Sequence, residues 1–159
     1  MKNHNYQITS HWDSKISGLT SSYITYNRNH IIEIPGKTTI ESSSDPSFRG
    51  DPTKHNPEEL FLASISSCHM LWYLHLCASN KISVVEYIDR AIGTMVEESS
   101  GSGRFSEVVL NPTVTIVELD KRELAAKLHQ EANRFCFIAS SCNFEIKHNP
   151  IINTICQRT

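Results

Sequence analysis

Hydrophobic and polar positions alternate loosely along the first forty residues, and many of these residues are β-branched or aromatic. A period of two is typical of half-buried β-strands. The pattern predicts strands in four segments, Tyr6–Thr9, Ser22–Tyr26, His30–Ile34 and Lys37–Ser42. The segment from Ser42 to His55 is polar and contains two prolines and a glycine, so we expect a loop there.

A long helix is predicted directly after this loop. Asn56 is a favourable N-cap, Pro57 suits the first helical position, and Glu59 completes a capping box. Nothing breaks the helix before Ser79, which gives it a length of roughly 35 Å at ~1.5 Å per residue. Its apolar residues lie on most sides of the axis, so we expect it to be buried. Small residues before Cys68 would let another backbone approach closely.

The second half of the chain predicts a hairpin, a second helix and a final pair of strands. Residues 82–97 and 105–118 are strand-like and flank a turn rich in Ser and Gly. Asp120 and Glu123 have the spacing of a capping box at the start of a helix. Residues 144–147 and 151–156 are expected to form a last pair of strands or an extended tail. This order predicts one α+β domain over residues 1–159, with antiparallel strands packed around the long central helix.

Composition and charge exclude several classes of protein. The chain is 39% hydrophobic and 20% charged, and its formal net charge is -2 with no basic run, so no nucleic-acid partner is indicated. The N-terminus lacks the apolar core of a signal peptide, and no stretch approaches the roughly 18 apolar residues that a membrane helix needs. We therefore expect a cytoplasmic protein with no membrane partner.

Cysteine is the residue type that we expect to carry the chemistry. The five cysteines are Cys68, Cys77, Cys136, Cys142 and Cys156. Stable disulfides are rare in a reducing compartment, so we interpret Cys77 and Cys156 as small buried hydrophobes. Cys68 lies in the middle of the long helix, where a nearby arginine would favour its reactive thiolate. If the end of the second helix packs there, Cys136 could resolve a sulfenic acid at Cys68 by forming a disulfide.

Glu58 cannot touch Cys68 within the same straight helix. It lies ten residues earlier, which separates the two residues by about 15 Å along the axis. The carboxylate must therefore act through a long arginine, or on the site of a partner subunit where two such helices cross. A homodimer with shared sites is the simplest arrangement that meets this constraint.

The sequence around Cys68 resembles a known family. Residues 55–68, HNPEELFLASISSC, resemble the central-helix signature of the OsmC/Ohr family, which comprises osmotically inducible protein C and organic hydroperoxide resistance proteins. The segment 136–139, CFIA, falls where that family has its second redox cysteine. Segments 11–13, HWD, and 48–50, FRG, resemble the OsmC branch. The resemblance extends over nearly the whole chain.

This resemblance implies an intertwined α+β homodimer that reduces organic hydroperoxides as part of an antioxidant response to oxidative stress. Inorganic hydroperoxides are also possible substrates. The resemblance implies that Cys68 is the peroxidatic cysteine, Cys136 the resolving cysteine and Glu58 the carboxylate that orients an arginine. Arg49 is the first candidate for that arginine and Arg28 the second. The sequence does not identify the reductant, for which we expect a dithiol and leave a small thiol as the alternative, and we expect no cofactor.

Departures from the family pattern leave alternatives open. Phe137 and Ala139 stand where the family usually has Pro and Ser, so Cys142 is a second candidate for the resolving cysteine. The Gly-Gly-Arg-Asp-Gly run of the organic hydroperoxide branch is missing, so the preferred peroxide is not indicated. The alternative function is a protein of the same fold that has no peroxidase activity and binds a small apolar or electrophilic ligand.

Metal binding and hydrolase chemistry are disfavoured. The sequence has no Cys-x2-Cys pair and no two histidines at i, i+4 with a catalytic Glu between them. His69 directly follows Cys68, so the two side chains project about 100° apart on a helix. We interpret the histidines of this helix as structural and expect no metal.

Overall fold

The computed structural model describes residues 2–155. The chain separates into two compact units, Met1–Phe61 and Leu62–Thr159, which are described in turn. Cys156, interpreted from the sequence as a small buried residue at the end of the last strand, lies outside the described residues.

The first unit contains a small antiparallel sheet. Its strands are β1 (Thr9–His11), β2 (His30–Glu33) and β3 (Ile40–Ser42), paired in the order β1-β2-β3. A one-turn helix α1 (Ser14–Ser17) follows β1, and the side chain of Asp13 accepts a hydrogen bond from the Lys15 amide at its start. The loop predicted between Ser42 and His55 is confirmed, apart from a short 3-10 turn at Pro46–Phe48.

The strand predicted at Ser22–Tyr26 is wrong, because this segment forms turns. The hydroxyl of Thr25 donates to the carbonyl of Leu19 at 2.7 Å, and also accepts from the Ser22 amide at 3.0 Å. Serine and threonine side chains that bond to nearby backbone in this way compete with strand pairing. The β-branched composition was therefore a misleading signal here.

The long helix α2 (Pro57–Ser79) begins and ends as predicted. The Glu59 amide donates to the side-chain oxygen of Asn56 at 2.8 Å, and the Asn56 amide donates back to the Glu59 carboxylate at 3.3 Å. This reciprocal pair is a capping box. Buried side chains recur every fourth residue along one face, at Ile65, His69, Tyr73 and Cys77. The expected burial of most of the circumference is not reached within one chain.

By length and composition alone, α2 is suited to crossing a membrane, and it is the one helix among residues 2–155 of which this is true. The prediction that no stretch of the sequence is apolar enough for a membrane helix is therefore wrong when length and average hydropathy are the criteria. The serines and histidines scattered along α2 do not lower its average hydropathy below the value that is typical of a membrane-spanning helix. The core helix of a soluble protein meets the same criterion.

The second unit contains two mixed three-stranded sheets. The strands are β4 (Val84–Asp89), β5 (Ile92–Glu97), β6 (Gly103–Leu110), β7 (Pro112–Ile116), β8 (Ile146–His148) and β9 (Ile151–Thr154). One sheet has the order β4-β7-β9 and the other β5-β6-β8. The hairpin predicted around residues 98–103 is formed by β5 and β6. The last two strands pair in parallel with β6 and β7, so the sheets are not purely antiparallel.

Each of the two long strands predicted from the sequence is in fact broken in two. The side chain of Asp89 accepts a hydrogen bond from the Asn111 amide at 2.7 Å, and the Asn111 side chain donates to the carbonyl of Arg90 at 2.9 Å. These polar side chains bind backbone groups at the place where the hydrogen bonds of a continuous pair of strands would otherwise form. The chain passes from one sheet to the other at this point.

Helix α3 (Arg122–Phe135) packs against α2. The capping box predicted at Asp120 and Glu123 is not formed, because Asp120 belongs to a 3-10 turn (Leu119–Lys121) that precedes the helix. The N-cap is Lys121, and it makes no side-chain capping bond. The buried face of α3 and that of α2 share one core cluster, which contains Tyr73, Cys77, Val114, Ile116, Ala125, Leu128, Ala132 and Ile152 among others.

Candidate active site

Cys68 and Cys136 are brought together by α2 and α3. Cys68 is half-buried in the middle of α2, and Cys136 is fully buried as the C-cap of α3. Burial, and then the hydrogen-bonding interaction with the Cys68 side chain, raise the pKa of Cys136 to about 12. Cys136 is therefore a protonated thiol at neutral pH. Neither cysteine is in a disulfide.

Ring contacts between α2 and α3 accompany this pairing. One residue after Cys68, the ring of His69 is hydrogen-bonded to His129, which lies seven residues before Cys136. One turn further along α2, the ring of Tyr73 stacks on His129 at 3.9 Å between centroids. One residue before Tyr73, the ring of Trp72 stacks on that of Phe135 at 5.2 Å between centroids. The C-terminal end of α3 lies beside the middle of α2, as the sequence analysis required for the thiol pair.

The loop that follows α3 surrounds the sulfur of Cys136. The amide of Ala139 donates to this sulfur at 3.4 Å. Cys142, the second candidate for the resolving cysteine, donates its own thiol proton to the carbonyl of Ile138 at 3.3 Å. Burial raises the pKa of Cys142. Among the described contacts, Cys136 and not Cys142 interacts with Cys68.

Cys77 is a small buried residue, as predicted. It is 1% exposed and belongs to the core cluster shared by α2 and α3. Burial raises its pKa. A thiol of this kind is a poor nucleophile because the thiolate is the reactive form.

Glu58, Arg49 and Arg28 all belong to the first unit. Glu58 lies in the first turn of α2, and its buried Oε2 atom has no hydrogen-bond partner among the described residues. The Arg28 guanidinium donates to the carbonyls of Tyr23 and Tyr26 and lies over both of their rings, at 4.5 and 4.1 Å from the centroids. The guanidinium group of Arg28 is thus already bound by these two neighbouring tyrosines.

Arg49 is exposed on a tight loop and forms no ion pair within residues 2–155. Its backbone has a φ of 66°, a left-handed conformation that non-glycine residues seldom adopt. The next residue must be glycine, because a Cβ atom at Gly50 would lie 1.6 Å from the carbonyl oxygen of Ser44. The backbone of the loop at Arg49 is therefore fixed. The Arg49 side chain is exposed and forms no ion pair within residues 2–155.

An apolar cavity of about 280 Å³ lies next to residues that flank the two cysteines. It is lined by Leu71, Trp72, His75 and Phe137. Trp72 is one turn after Cys68 on α2, and its ring meets that of Phe137 edge-on at 5.7 Å. Phe137, one of the residues that depart from the family pattern, is 70% exposed. This cavity is shaped for an apolar group.

A buried cluster of histidines lies beside the thiol pair, and the sequence analysis did not identify it. His69 Nε2 lies 3.0 Å from His129 Nδ1, and the ring of His148 packs 5.7 Å from His69 and 6.4 Å from His129. Burial, and then the charge on His148, lower the pKa of His69 to about 4. Burial, and then the charges on His69 and His148, lower that of His129 to about 3. The signal in the sequence was a histidine on the apolar stripe of the second helix.

These histidines are not arranged as a metal site. No group of three or more His, Cys, Asp or Glu side chains in the described part of the chain is placed to hold a metal ion. His69 is structural in the sense the sequence analysis expected, since it is buried and hydrogen-bonded.

A comparison with protein-family models finds one described as OsmC-like protein, which matches residues 50–150. The matched region contains both members of the thiol pair, together with Glu58. A search of curated protein sequences finds no match.

Solved structures with the same fold include three that cover almost the whole chain. An OsmC-like protein of unknown function from Vibrio cholerae is 31% identical, with a TM-score of 0.83 over 94% of this chain and 100% of that chain. An OsmC-like protein from Mycoplasma pneumoniae is 11% identical, with a TM-score of 0.73 over 96% and 99%. An organic hydroperoxide resistance protein from Elizabethkingia anophelis is 18% identical, with a TM-score of 0.68 over 97% and 99%.

Proposed function

The chain belongs to the OsmC-like family, and from the chemistry of its site we propose that it is a thiol-dependent peroxidase that reduces hydroperoxides through two cysteines. The observation that carries the proposal is the interaction between Cys68 and Cys136, one half-buried and the other a fully buried thiol. The similarity in fold to a protein named for organic hydroperoxide resistance agrees with it.

In the first step, the Cys68 thiolate attacks the terminal oxygen of the hydroperoxide. A sulfur–oxygen bond forms and the oxygen–oxygen bond breaks, which leaves a sulfenic acid on Cys68 and, after protonation, an alcohol. Arg49 is the proposed activating cation because it is exposed and unpaired within residues 2–155, whereas Arg28 is held by Tyr23 and Tyr26. Glu58 is proposed to orient that arginine, and its buried Oε2 atom lacks another partner among the described residues.

In the second step, the sulfur of Cys136 displaces the sulfenic hydroxyl from Cys68. The thiol proton and the hydroxyl leave together as water, and a Cys68–Cys136 disulfide forms. A dithiol reductant then exchanges with this disulfide and restores both thiols. Cys142 is the less favoured resolving residue, since its thiol proton is donated to the carbonyl of Ile138.

We also propose that the active form is a homodimer with shared sites, in the cytoplasm. The α2 helix leaves Leu71 62% exposed, and Phe137 beside it is 70% exposed. Large apolar side chains that remain exposed next to an active site are typical of surfaces covered by a partner. A second copy of α2 crossing near Cys68 would also provide a Glu58 that is not constrained by the length of its own helix.

The apolar cavity is also consistent with a second function. Leu71, Trp72, His75 and Phe137 form a site that fits the organic group of a hydroperoxide, and equally a small apolar or electrophilic ligand that is bound without turnover. The two functions differ in whether Cys68 is oxidised. A ligand that is only bound leaves both thiols in place.

Turnover separates these functions directly. The wild-type protein should consume cumene hydroperoxide in the presence of a dithiol, and Cys68→Ser should lose this activity by several orders of magnitude, since it removes the nucleophile. Cys77→Ser is the matched control on the same helix. Retention of more than about a tenth of the wild-type rate in Cys68→Ser would refute the proposed role of Cys68.

A further inference from the structure

Two buried histidines form a direct polar link between the helices that carry the two cysteines. His69 is 1% exposed and His129 is 0% exposed, and His69 Nε2 lies 3.0 Å from His129 Nδ1. Their rings are nearly parallel, with an interplanar angle of 12°. One ring nitrogen must donate its proton and the other must accept it, so the bond requires both imidazoles to be neutral or only one to be charged. We call this hydrogen bond the histidine bridge.

Stability alone does not account for the histidine bridge. It lies among apolar residues of the core, close to Leu128 and Ala132 on the same helix face. The second nitrogen of each ring, Nδ1 of His69 and Nε2 of His129, is buried without a partner in the described residues. Burying polar atoms in this way costs free energy, and replacing both partners by apolar groups is often neutral or stabilising. The best-attested role of a buried polar pair is to specify one alignment, or register, of the elements that it joins.

The position of the histidine bridge relates it to the cysteines. His69 directly follows Cys68 on α2, and His129 lies seven residues, or about two turns, before Cys136 on α3. A shift of one helix along the other would break the bridge and separate the thiols by the same displacement. An apolar contact at this place would tolerate such a shift, whereas a hydrogen bond is limited to a narrow range of distance and angle.

We propose that the histidine bridge holds α2 and α3 in the register that places Cys136 against Cys68, and so makes His69 and His129 positioning residues for disulfide formation. The inference rests on the proposed two-cysteine mechanism. The step concerned is the displacement of hydroxide from the Cys68 sulfenic acid by the sulfur of Cys136, with release of water. The preceding attack of Cys68 on the hydroperoxide involves no atom of the histidine bridge or of Cys136.

The geometry supplies conservative variants for each ring. The polar end of asparagine coincides with Nδ1 of a histidine, and that of glutamine coincides with Nε2. The double variant His69→Gln/His129→Asn therefore places two amides where the bridge has its two nitrogens. His129→Leu removes the bridge, and His129→Gln keeps a polar side chain but moves its polar end away from the Nδ1 position. His148→Leu is a matched control, because His148 packs on both rings without bonding to either.

The experiment is a single turnover, in which each reduced protein is mixed with one equivalent of cumene hydroperoxide and quenched at increasing times. Mass spectrometry then measures sulfenic acid, sulfinic acid and the Cys68–Cys136 disulfide. His129→Leu and His129→Gln should form sulfenic acid at the wild-type rate but form the disulfide at least about tenfold more slowly, since small misplacements of reacting groups have large effects on rate. Sulfenic acid on Cys68 should accumulate in consequence, and a second equivalent of cumene hydroperoxide should convert it to sulfinic acid.

The double variant should recover most of the rate of disulfide formation, and His148→Leu should remain close to wild type. If His129→Leu does not fold, His129→Gln provides the same comparison. Wild-type disulfide kinetics in His129→Gln, or equal slowing of the sulfenic and disulfide steps, would overturn the positioning role. Absence of the disulfide in the wild-type protein would instead refute the two-cysteine mechanism itself.

Discussion

The buried side chain of Cys136 interacts with that of Cys68. Burial, and then hydrogen bonding to Cys68, raise the pKa of Cys136 to about 12, so Cys136 remains a thiol throughout the neutral range. A thiol that remains protonated is a poor first nucleophile toward a peroxide. It can attack once its neighbour has become a sulfenic acid, because the displaced hydroxyl takes up its proton. This behaviour of the Cys136 thiol supports the resolving role that we propose for it.

The identity of the resolving cysteine can be tested by peptide mapping. After treatment with hydroperoxide and digestion without reductant, we expect a linked peptide pair that contains Cys68 and Cys136. Cys142→Ser should give the same pair in the same yield, because the Cys142 thiol bonds to Ile138. A Cys68–Cys142 peptide in the wild-type protein would transfer the resolving role to Cys142.

Arg49 should control the reactivity of Cys68. We expect the rate of alkylation of Cys68 by iodoacetamide, measured against pH, to have its midpoint shifted upward in Arg49→Ala, because loss of a nearby cation disfavours the thiolate. Arg28→Ala is the matched control, and its midpoint should not move. If Arg28→Ala shifts the midpoint and Arg49→Ala does not, Arg28 is the activating residue.

Acid should destabilise the protein through the buried histidines. The folded state lowers the pKa of His69 from 6.5 to about 4 and that of His129 from 6.5 to about 3. Their contribution to stability is thus complete above about pH 6.5 and is lost as the pH falls toward 4, where the unfolded chain binds more protons. Each pKa unit corresponds to about 1.4 kcal/mol, so the loss of stability caused by protonating both rings is several kcal/mol at most.

Urea unfolding followed by circular dichroism between pH 4 and 7 measures this loss. In His129→Leu the free energy of unfolding should depend less on pH, because one buried base is removed. His75→Leu, at an exposed position of the same helix as His69, should keep the wild-type dependence. An unchanged slope in His129→Leu would show that other groups cause the acid sensitivity.

The shared-site homodimer predicts complementation between inactive chains. Cys68→Ser and Glu58→Ala chains, unfolded and refolded together, should recover part of the peroxidase activity, because one of the two sites in a mixed dimer would contain both intact residues. Sedimentation should give about twice the chain mass of 18.0 kDa at sub-micromolar concentration. A monomer that retains full activity at high dilution would contradict the shared site.

Local signals in the sequence predicted part of the fold, and non-local contacts explain the rest. The capping box of Asn56 and Glu59 depends on residues three apart, and the structure confirms it. The break between β6 and β7 depends on Asp89 binding the Asn111 amide, a contact across 22 residues that no periodicity records. The same applies to the site, since the bond between His69 and His129 spans 60 residues.

The cysteines were easier to predict than their surroundings. Cys68 stood out because small residues flank it in a long capped helix, and Cys136 because it ends the second predicted helix. The sequence could not choose between Cys136 and Cys142, which are six residues apart. The turn after α3, in which the Ala139 amide bonds to the Cys136 sulfur, supports the proposal of Cys136. Bonds of this kind depend on the backbone path rather than on residue type.

The most direct test of the two-cysteine mechanism is a titration of free thiols before and after one equivalent of cumene hydroperoxide, with no reductant present. The wild-type protein should lose two thiols per chain rapidly, and a reductant should restore both. Cys68→Ser should lose none over the same period, and Cys136→Ser should lose only one. No loss of thiols in the wild-type protein would contradict peroxidase activity and favour a protein that binds its ligand without turnover.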